Sequence, residues 1–469
     1  MIESTSGRFD RTDHALVIGL GRSGRASVEV LRTRLGSVVA TDEAPPGELA
    51  DALDELRAAN VRFIPPDELD AALEHVTVAV LSPGIPLNNP LVMRVQRKGI
   101  PVFSEVEVAY RICAAPIVAV TGTKGKTTTT ALIGALFAAA GKTVHVGGNI
   151  GNALIRETAD AKADDWVIAE VSSFQLESIR SFKPKISLIL NVTPDHLDRY
   201  PSMEEYAEAK MRIFTNQGPG DTFVGNLDDP IVASAPGEDN NRIKTRALWF
   251  ASEPHRNTTL YLRGEQIVYA PPTGDPRPID ILRTNEIPLL GRHNVENVMG
   301  AVLVALAAGL PVEAIREGVR NFRPLAHRLQ PVAEIEDVRY VDDSKATNPG
   351  SVIAAMRAFD RPIVLIAGGK SKGTDFAELG KVLSSRAKAV VLIGETAEEI
   401  ASVVKRAKVE LASSMEDAVR RARDLAEPGD VVLLSPGCAS FDMFRSAEHR
   451  GDEFANSVHA LQHPVAGAR

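Results

Sequence analysis

A strand followed directly by a glycine-rich loop and a helix most restricts how this chain can fold. Residues 117–121, IVAVT, predict a strand, a basic glycine loop follows, and a helical pattern begins at once. In such a loop the backbone N–H groups surround phosphate oxygens, Lys126 neutralises their charge, and the Thr127 hydroxyl can ligate Mg²⁺. Counted from its first glycine, the loop is one residue shorter than the usual P-loop. The residues predicted to bind the nucleotide phosphates are Gly122, Thr123, Lys124, Gly125, Lys126, Thr127 and Thr128.

Short apolar runs alternate with longer helical patterns along the whole chain, which is typical of parallel α/β sheets. The alternation restarts twice, and 469 residues are enough for three domains of ordinary size. We predict an α/β protein with a Rossmann-like N-terminal domain (1–114), a P-loop mononucleotide-binding central domain (115–324) and a Rossmann-like C-terminal domain (325–469). Residues 253–272 alternate in polarity around a glycine turn and predict an antiparallel hairpin within the central domain.

The composition excludes several classes of protein. With 53 Lys and Arg against 61 Asp and Glu, the net charge is −8, so no basic field favours nucleic acid or an anionic membrane. The two cysteines, Cys113 and Cys438, cannot form a disulfide framework or a zinc ribbon and favour a reducing compartment. Residues 1–14 contain no apolar run of the kind found in a secretory leader, and we expect no transmembrane segment. We expect a cytoplasmic monomer without a nucleic-acid partner.

A second glycine motif, Gly-Leu-Gly-Arg-Ser-Gly at residues 19–24, follows a predicted strand and opens a helical pattern. Asp42 ends the next strand and can accept a hydrogen bond from a ribose or a base. The motif suits any nucleotide that carries a pyrophosphate, because glycine allows close approach and the helix N-terminus offers N–H groups. The alternative is a tight strand-to-helix turn without a ligand.

Two ionisable residues, Glu170 and His196, follow predicted strands of the central domain. Glu170 ends the apolar run 166–169, where packing does not explain a carboxylate, and it is placed to hold Mg²⁺ for the P-loop. His196 lies in the segment after the strand 186–192, at the sheet edge where ligands bind in such folds. Its alternative is an ordinary loop histidine.

Lys210 lies on the apolar stripe of a predicted helix, at helical spacing from Met203, Tyr206, Ala207 and Phe214. A lysine there is costly unless it is neutralised, paired or modified. One alternative is an ammonium group that extends past the stripe into water. The other is a neutral amine in a dry pocket, which can be carbamylated to give an anionic metal ligand.

Further polar groups lie towards the C-terminal end. Asn294 and Asn297 share a helical face, which helix capping alone does not explain. Arg328, Asp343 and Lys345 lie near the predicted domain junction, where charged groups can close over a nucleotide. Two more predicted strands end in polar loops that contain Lys372 and Ser440, residues suited to a carboxylate ligand or to ordinary loop chemistry.

Together these motifs resemble the muramyl peptide ligases of peptidoglycan synthesis, within the ATP-dependent amide ligases that also include folylpolyglutamate synthetase. The P-loop GTKGKTTTT carries the wider resemblance. The D-glutamate-adding branch is indicated by GGNIG (147–151), EVSSFQLE (170–177), NVTPDHLDRY (191–200), DDSKATN (342–348) and SPGCASFDMF (435–444).

The resemblance implies ATP, two Mg²⁺ ions, and two small-molecule substrates, UDP-N-acetylmuramoyl-L-alanine and D-glutamate, which are joined through an acyl phosphate. It also implies a role for each matching position. The catalytic positions are Lys126, Glu170, His196 and Lys210. The metal ligands are Thr127, Glu170, His196 and carbamylated Lys210. The nucleotide positions beyond the P-loop are Asn294, Asn297, Arg328 and Asp343. The UDP-substrate positions are Ser23, Asp42, Gly84 and Asn149, and the D-glutamate positions are Lys345, Thr347, Lys372, Ser440 and Phe441.

Two residues depart from the family pattern: Lys124 where a neutral residue is usual, and Ser371 where an acidic one is common. Three other interpretations stay open on the residues alone. The glycine motif at residues 19–24 also suits a nicotinamide oxidoreductase, but that interpretation gives the P-loop and Glu170 no role. A P-loop regulator that binds ATP without amide chemistry is the second. The third is a muramyl or folylpolyglutamate-type ligase with another acceptor.

Overall fold

The computed structural model describes residues 9–195, 199–236, 242–272, 277–323, 325–371, 373 and 375–462. The chain divides into two compact units, Met1–Ile287 with Glu296–Phe322, and Pro288–Val295 with Arg323–Arg469. The first unit contains two sheets and the second contains one. In the described part of the chain, no helix has both the length and the apolarity to cross a membrane.

The N-terminal sheet is five-stranded and parallel, in the order β3-β2-β1-β4-β5. Its strands are β1 (His14–Ile18), β2 (Ser37–Thr41), β3 (Arg62–Phe63), β4 (Val78–Leu81) and β5 (Val102–Ser104). Its helices are α1 (Arg22–Leu31), α2 (Ala50–Ala58), α3 (Leu69–Ala72), α4 (Pro90–Arg97) and α5 (Glu105–Ile112).

The central sheet is nine-stranded, in the order β14-β13-β12-β11-β10-β9-β6-β8-β7. Its strands are β6 (Ile117–Thr121), β7 (Val144–Gly148), β8 (Trp166–Glu170), β9 (Ile186–Ile189), β10 (Thr222–Asn226), β11 (Arg246–Ala251), β12 (Leu260–Arg263), β13 (Gln266–Tyr269) and β14 (Ile279–Arg283). The helices are α6 (Lys126–Ala139), α7 (Leu154–Ala159), α8 (Ser173–Leu176), α9 (Met203–Met211), α10 (Pro230–Ala233), α11 (Arg292–Ala307) and α12 (Val312–Arg320). The antiparallel pair β12–β13 confirms the predicted hairpin.

The sheet of the second unit is six-stranded, in the order β15-β16-β20-β17-β18-β19. Its strands are β15 (Gln330–Ile335), β16 (Val338–Asp342), β17 (Ile363–Gly368), β18 (Ala387–Ile393), β19 (Lys408–Leu411) and β20 (Val431–Leu434). Its helices are α13 (Pro349–Met356), α14 (Ala377–Arg386), α15 (Ala397–Val403), α16 (Met415–Leu425) and α17 (Ala447–Gln462).

The edge strand β15 is not among the strands that the sequence pattern predicts. It pairs with β16 in an antiparallel direction, through a tight turn at Glu336 and Asp337. Both turn residues have positive φ, +52° and +60°, as in the mirror-image turns that join twisted hairpin strands. The turn lacks the usual Asn-Gly signal, and Pro331 within the strand argues against strand structure, so the sequence conceals this hairpin.

The N-terminal and central sheets share one hydrophobic core. Val106 of α5, Ile155 of α7 and Phe182 are all completely buried in the same cluster. The buried carboxylate of Glu107 also accepts backbone N–H groups of residues 180–182, and that of Glu105 accepts the N–H of Ile155 at 2.6 Å. These carboxylates tie α5 to backbone groups of the central domain.

Candidate active site

Backbone carbonyl groups of the P-loop bind the ammonium group of the loop's own lysine, Lys126. Between β6 and α6, Gly125 caps the helix in the left-handed conformation, with φ +82°. The Nζ atom of Lys126 donates to the carbonyl oxygens of Gly122 and Thr123, both at 2.9 Å. A Cβ atom on Gly125 would lie 2.1 Å from Oδ1 of Asn297, so the loop requires glycine there. The loop therefore holds the Lys126 ammonium group at the start of α6, where a phosphate-binding loop places its cation.

Asn191 holds the P-loop in shape from the neighbouring strand. Its Oδ1 accepts the backbone N–H groups of Thr123 at 3.1 Å and Lys124 at 2.8 Å, and its Nδ2 donates to the Lys124 carbonyl. Thr127 and Thr128, half-buried, follow in the first turn of α6. The sequence singles out the segment 191–200 but gives Asn191 no role. Its place just after β9, the strand next to β6, is the signal that would find it.

Glu170 ends β8, next to β6, with only 1% of its surface exposed. Its Oε1 accepts the Nδ2 hydrogen of Asn149 at 2.8 Å, and its backbone carbonyl accepts the Asn149 N–H at 2.9 Å. Its Oε2 is buried and has no hydrogen-bond partner in the described part of the chain. A buried carboxylate oxygen without a partner is costly, and a bound cation would relieve that cost.

Lys210 is buried on α9, with 2% of its surface exposed, so its ammonium does not extend into water. Its Nζ donates to the Gly122 carbonyl at 2.9 Å and lies 4.4 Å from the centre of the Tyr206 ring. Burial, together with the positive charge of Lys126, holds the pKa of Lys210 well below its usual value of 10.5. A lowered pKa favours the neutral amine, the form that reacts with CO₂.

The glycine motif at residues 19–24 forms a tight turn between β1 and α1. Gly19 has φ +90°, and a Cβ atom on Gly24 would lie 1.8 Å from the Gly19 carbonyl oxygen, so the turn excludes larger residues. Asp42 supports the turn from the end of the next strand. Its Oδ2 accepts the N–H of Leu20 at 2.6 Å, and its Oδ1 accepts the N–H of Ala44 at 2.9 Å. Asp42 thus shapes the glycine loop, and its predicted contact with a nucleoside stays a prediction.

The other predicted positions at the UDP end lie around this turn and a nearby groove. Ser23 is in the first turn of α1, and Asn149 is the partner of Glu170 described above. Gly84 follows β4 and lines a groove of about 840 Å³ together with Glu177, Arg199 and Arg212. The groove lies within the first unit, between the loop after β4 and the region around α9, and it is large enough for a sugar.

In the second unit, Asp343 is buried at the end of β16. The hydroxyl of Ser435 donates to its Oδ2 at 2.9 Å, and the N–H of Leu329 donates to its Oδ1 at 3.3 Å. Burial nevertheless raises the pKa of Asp343 to about 7, despite these hydrogen bonds and the positive charge of Arg328. Asp343 and Arg328 are therefore electrostatically coupled, and their role at the nucleotide stays a prediction.

The predicted acceptor residues of this unit lie in two loops. Lys345 forms an ion pair with Glu448 of α17, and hydrogen bonding to that lysine holds the pKa of Glu448 at about 2. Thr347 is half-buried, Ser440 is 2% exposed and Phe441 is 68% exposed. Lys345 and Thr347 thus lie in the loop after β16, and Ser440 and Phe441 lie in the loop after β20, all within the second unit.

Arg450, which the sequence patterns do not single out, joins these two loops. Its side chain is completely buried on α17, and its guanidinium donates to the hydroxyl and carbonyl of Ser344 and to the carbonyls of Cys438 and Ala439. Burial lowers its pKa to about 10. Only the three-dimensional structure reveals this role, because Arg450 lies in an ordinary amphipathic helix far along the chain.

The remaining predicted positions divide into two groups. Asn294 and Asn297 are both buried on α11, and the Asn294 amide donates to the Leu290 carbonyl at 2.7 Å. His196 and Lys372 lie outside the described residues. Among the described residues, no three His, Cys, Asp or Glu side chains cluster as a metal cage.

A P-loop beside a buried carboxylate and a buried lysine defines a nucleotide-dependent enzyme of the α/β class. Three family models match the chain in order: the Mur ligase MurD-like N-terminal domain at residues 13–104, the Mur ligase middle domain at 120–305 and the Mur ligase glutamate ligase domain at 327–438. The chain belongs to the Mur ligase family. Mur ligases are ATP-dependent, and the three-domain α/β class predicted above is confirmed, whereas the domain boundaries stay a prediction.

Curated relatives match nearly the whole chain. The UDP-N-acetylmuramoylalanine--D-glutamate ligase of Pelotomaculum thermopropionicum is 44% identical, covering 95% of this chain and 97% of the relative. The ligase of the same name from Clostridioides difficile is 38% identical, covering 95% of this chain and 98% of the relative.

Solved structures share the fold at lower identity. UDP-N-acetylmuramate-alanine ligase from Thermotoga maritima has a TM-score of 0.58 at 17% identity, covering 96% of this chain and 99% of that one. A MurF ligase from the same organism, solved in complex with ADP, has a TM-score of 0.57 at 17% identity, covering 91% and 96%.

Proposed function

We propose that this chain is an ATP-dependent ligase that adds D-glutamate to UDP-N-acetylmuramoyl-L-alanine in peptidoglycan precursor synthesis. The observation that carries the chemistry is the placement of Glu170 and Lys210, both buried, beside the P-loop lysine. The choice of acceptor is supported by whole-chain similarity to enzymes named for that acceptor. The free cysteines Cys113 and Cys438 and the use of ATP support a cytoplasmic location.

The reaction has two steps. The terminal alanine carboxylate attacks the γ-phosphorus of ATP, forming an acyl phosphate and releasing ADP. The amine of D-glutamate then attacks the acyl carbon, and the tetrahedral intermediate loses phosphate to leave an amide. Lys126 balances the charge of the transferring phosphoryl group, while Asn191 fixes the shape of the loop through its bonds to Thr123 and Lys124.

The site also fits Mg²⁺. The unpartnered Oε2 of Glu170 is an oxygen ligand in need of a cation, and Thr127 supplies a hydroxyl at the start of α6. We assign two ions to Thr127, Glu170, His196 and a carbamate on Lys210. Bound Mg²⁺ supplies charge neutralisation for phosphoryl transfer.

The three parts of the chain have separate tasks in this proposal. Residues 1–114 bind the UDP end through Ser23, Asp42 and Gly84, with Asn149 from the central part. Residues 115–324 bind ATP, with Asn294 and Asn297, and residues 325–469 supply Arg328 and Asp343. The D-glutamate positions are Lys345, Thr347, Lys372, Ser440 and Phe441.

The acceptor is tested by phosphate release from ATP with UDP-N-acetylmuramoyl-L-alanine present. We expect turnover with D-glutamate and none with L-glutamate, L-alanine or diaminopimelate. Turnover with another acceptor would keep the ligase chemistry but assign the chain to another branch. ATP hydrolysis that no acceptor stimulates would instead favour a P-loop regulator.

Replacement of Asp42 by alanine is expected to raise the KM for the UDP substrate by about tenfold, since the glycine loop loses the hydrogen bond from Leu20 and the nucleoside loses an acceptor. The KM for ATP should stay unchanged, because the P-loop lies on another sheet. Steady-state kinetics with each substrate varied in turn measures both constants. An unchanged KM for the UDP substrate would contradict the role of Asp42.

A further inference from the structure

The loop 147–151 comprises the last two residues of β7 and the first three residues of the turn that leads to α7, and it lies directly against the end of β8. Gly148 and Gly151 have φ values of +106° and +55°. A Cβ atom on Gly148 would lie 2.3 Å from the Glu170 carbonyl oxygen, so the loop is in close contact with the strand end. Gly147 and Gly148 still pair with Ala169 and Glu170 of β8, whereas residues 149–151 lie beyond the paired strand, so contacts from other elements help to hold them in place.

On its inner side, the loop is bound to Glu170 through Asn149. The backbone N–H of Asn149 donates to the Glu170 carbonyl at 2.9 Å, and its Nδ2 donates to the carboxylate Oε1 at 2.8 Å. These two bonds leave only Oε2 of Glu170 without a partner among the described residues. The position of Asn149 therefore sets the direction of the carboxylate that is assigned to Mg²⁺.

On its outer side, the same loop is bound by Arg22. The Nη1 of Arg22 donates to the Gly151 carbonyl at 2.8 Å, and its Nη2 donates to the carbonyls of Asn149 at 3.1 Å and Gly148 at 3.4 Å. A planar guanidinium holds its N–H donors in a rigid fork, so two nitrogens of Arg22 serve three carbonyls of the loop at once. Arg22 is also the first residue of α1, inside the glycine motif at the UDP end.

We propose that Arg22 is a positioning residue that couples the UDP-binding glycine loop to the metal-binding carboxylate of Glu170. The path runs from the Arg22 guanidinium to the Asn149 carbonyl, and from the Asn149 amide to Glu170. Arg22 acts by keeping the loop 147–151 in place, and it does not itself touch the reacting atoms. The inference rests on the proposed function, since it names a determinant of the same site.

A purely structural role for Arg22 would be to dock α1 against α7. Another contact already serves that purpose, because Glu29 of α1 forms an ion pair with Arg156 of α7. Glu29 has no bond to the loop 147–151 in the described structure. Glu29→Ala is therefore a matched control that weakens the same helix contact but leaves the path to Glu170 intact.

The test compares Arg22→Ala with Glu29→Ala in two measurements. The first is the Mg²⁺ concentration that gives half-maximal phosphate release with all substrates saturating. The second is hydrogen–deuterium exchange of residues 147–152 in the free protein. For Arg22→Ala we expect a roughly tenfold higher Mg²⁺ requirement, because residues that orient a metal ligand affect metal affinity by about that factor. We also expect faster hydrogen–deuterium exchange in the loop. Glu29→Ala should change neither.

Two results would overturn the proposal. If both variants behave alike, Arg22 only docks the helix. If Arg22→Ala raises the KM for the UDP substrate while the Mg²⁺ requirement and loop exchange stay at the wild-type level, Arg22 is a pyrophosphate ligand instead.

A double-mutant cycle adds an independent check. If Arg22 acts through Asn149, then Arg22→Ala should have little further effect on the Mg²⁺ requirement in an Asn149→Ala background. Fully additive effects would contradict the path. Failure of the proposed function itself would be visible in the wild-type protein, as absent D-glutamate turnover, whereas the exchange measurement would still report the contact of Arg22 with the loop.

Discussion

Lys210→Ala is expected to lower ligase turnover by about 100-fold or more while the chain stays folded. The buried amine has no outlet to water and is held on the Gly122 carbonyl beside the phosphate loop. Its lowered pKa makes carbamylation possible, and the carbamate would supply a negative charge that alanine cannot replace. Phosphate release with saturating substrates measures the loss, and circular dichroism checks the fold.

The matched control is Lys183→Ala, which removes an exposed lysine that pairs with Asp221, an aspartate that Lys185 also contacts. That variant should keep wild-type turnover. A second measurement addresses the modification directly, since removal of dissolved CO₂ should lower wild-type activity and bicarbonate should restore it. Near-normal turnover of Lys210→Ala would exclude a carbamate at this position.

Glu170→Gln is expected to lower turnover by about 100-fold or more at a fixed Mg²⁺ concentration. Glutamine keeps an oxygen that can accept the Asn149 amide, so the substitution mainly removes charge. The loss should therefore recover in part as Mg²⁺ is raised, because a weaker ligand set needs more metal. A titration of the rate against Mg²⁺ measures this recovery.

The control for this prediction is Glu313→Gln on α12, where the carboxylate is exposed and pairs with Arg316. Exposed ion pairs contribute little, so turnover and its Mg²⁺ dependence should match wild type. A wild-type rate for Glu170→Gln at ordinary Mg²⁺ would remove Glu170 from the metal site.

The sequence predicts the fold class and much of the candidate site because both depend on local patterns. Strand, glycine loop and helix are adjacent in the chain at residues 117–139, so the P-loop is visible without coordinates. Lys210 stands out because helical spacing alone places a charged group among apolar ones. The functional roles of all these site residues stay predictions, and His196 and Lys372 lie outside the described residues.

The supporting contacts could not be predicted, because they join residues that are distant in sequence. Asn191 lies more than sixty residues from the loop it holds, and Arg22 lies more than one hundred residues from Asn149. Neither residue type is unusual in its own segment. Lys345 shows the same limit, since its pairing with Glu448 of α17 depends on how the second unit folds.

The shared core of the first two sheets implies that the chain cannot be cut where its sequence pattern restarts. A fragment that began near residue 115 would lack α5, and with it the carboxylates of Glu105 and Glu107. The backbone N–H groups of Ile155 and residues 180–182 would lose their acceptors, and the apolar face of α7 would meet water. A fragment that contains only the central sheet and its helices would therefore fold poorly and aggregate through its exposed apolar surface. The N-terminal part is thus needed for the central sheet to fold.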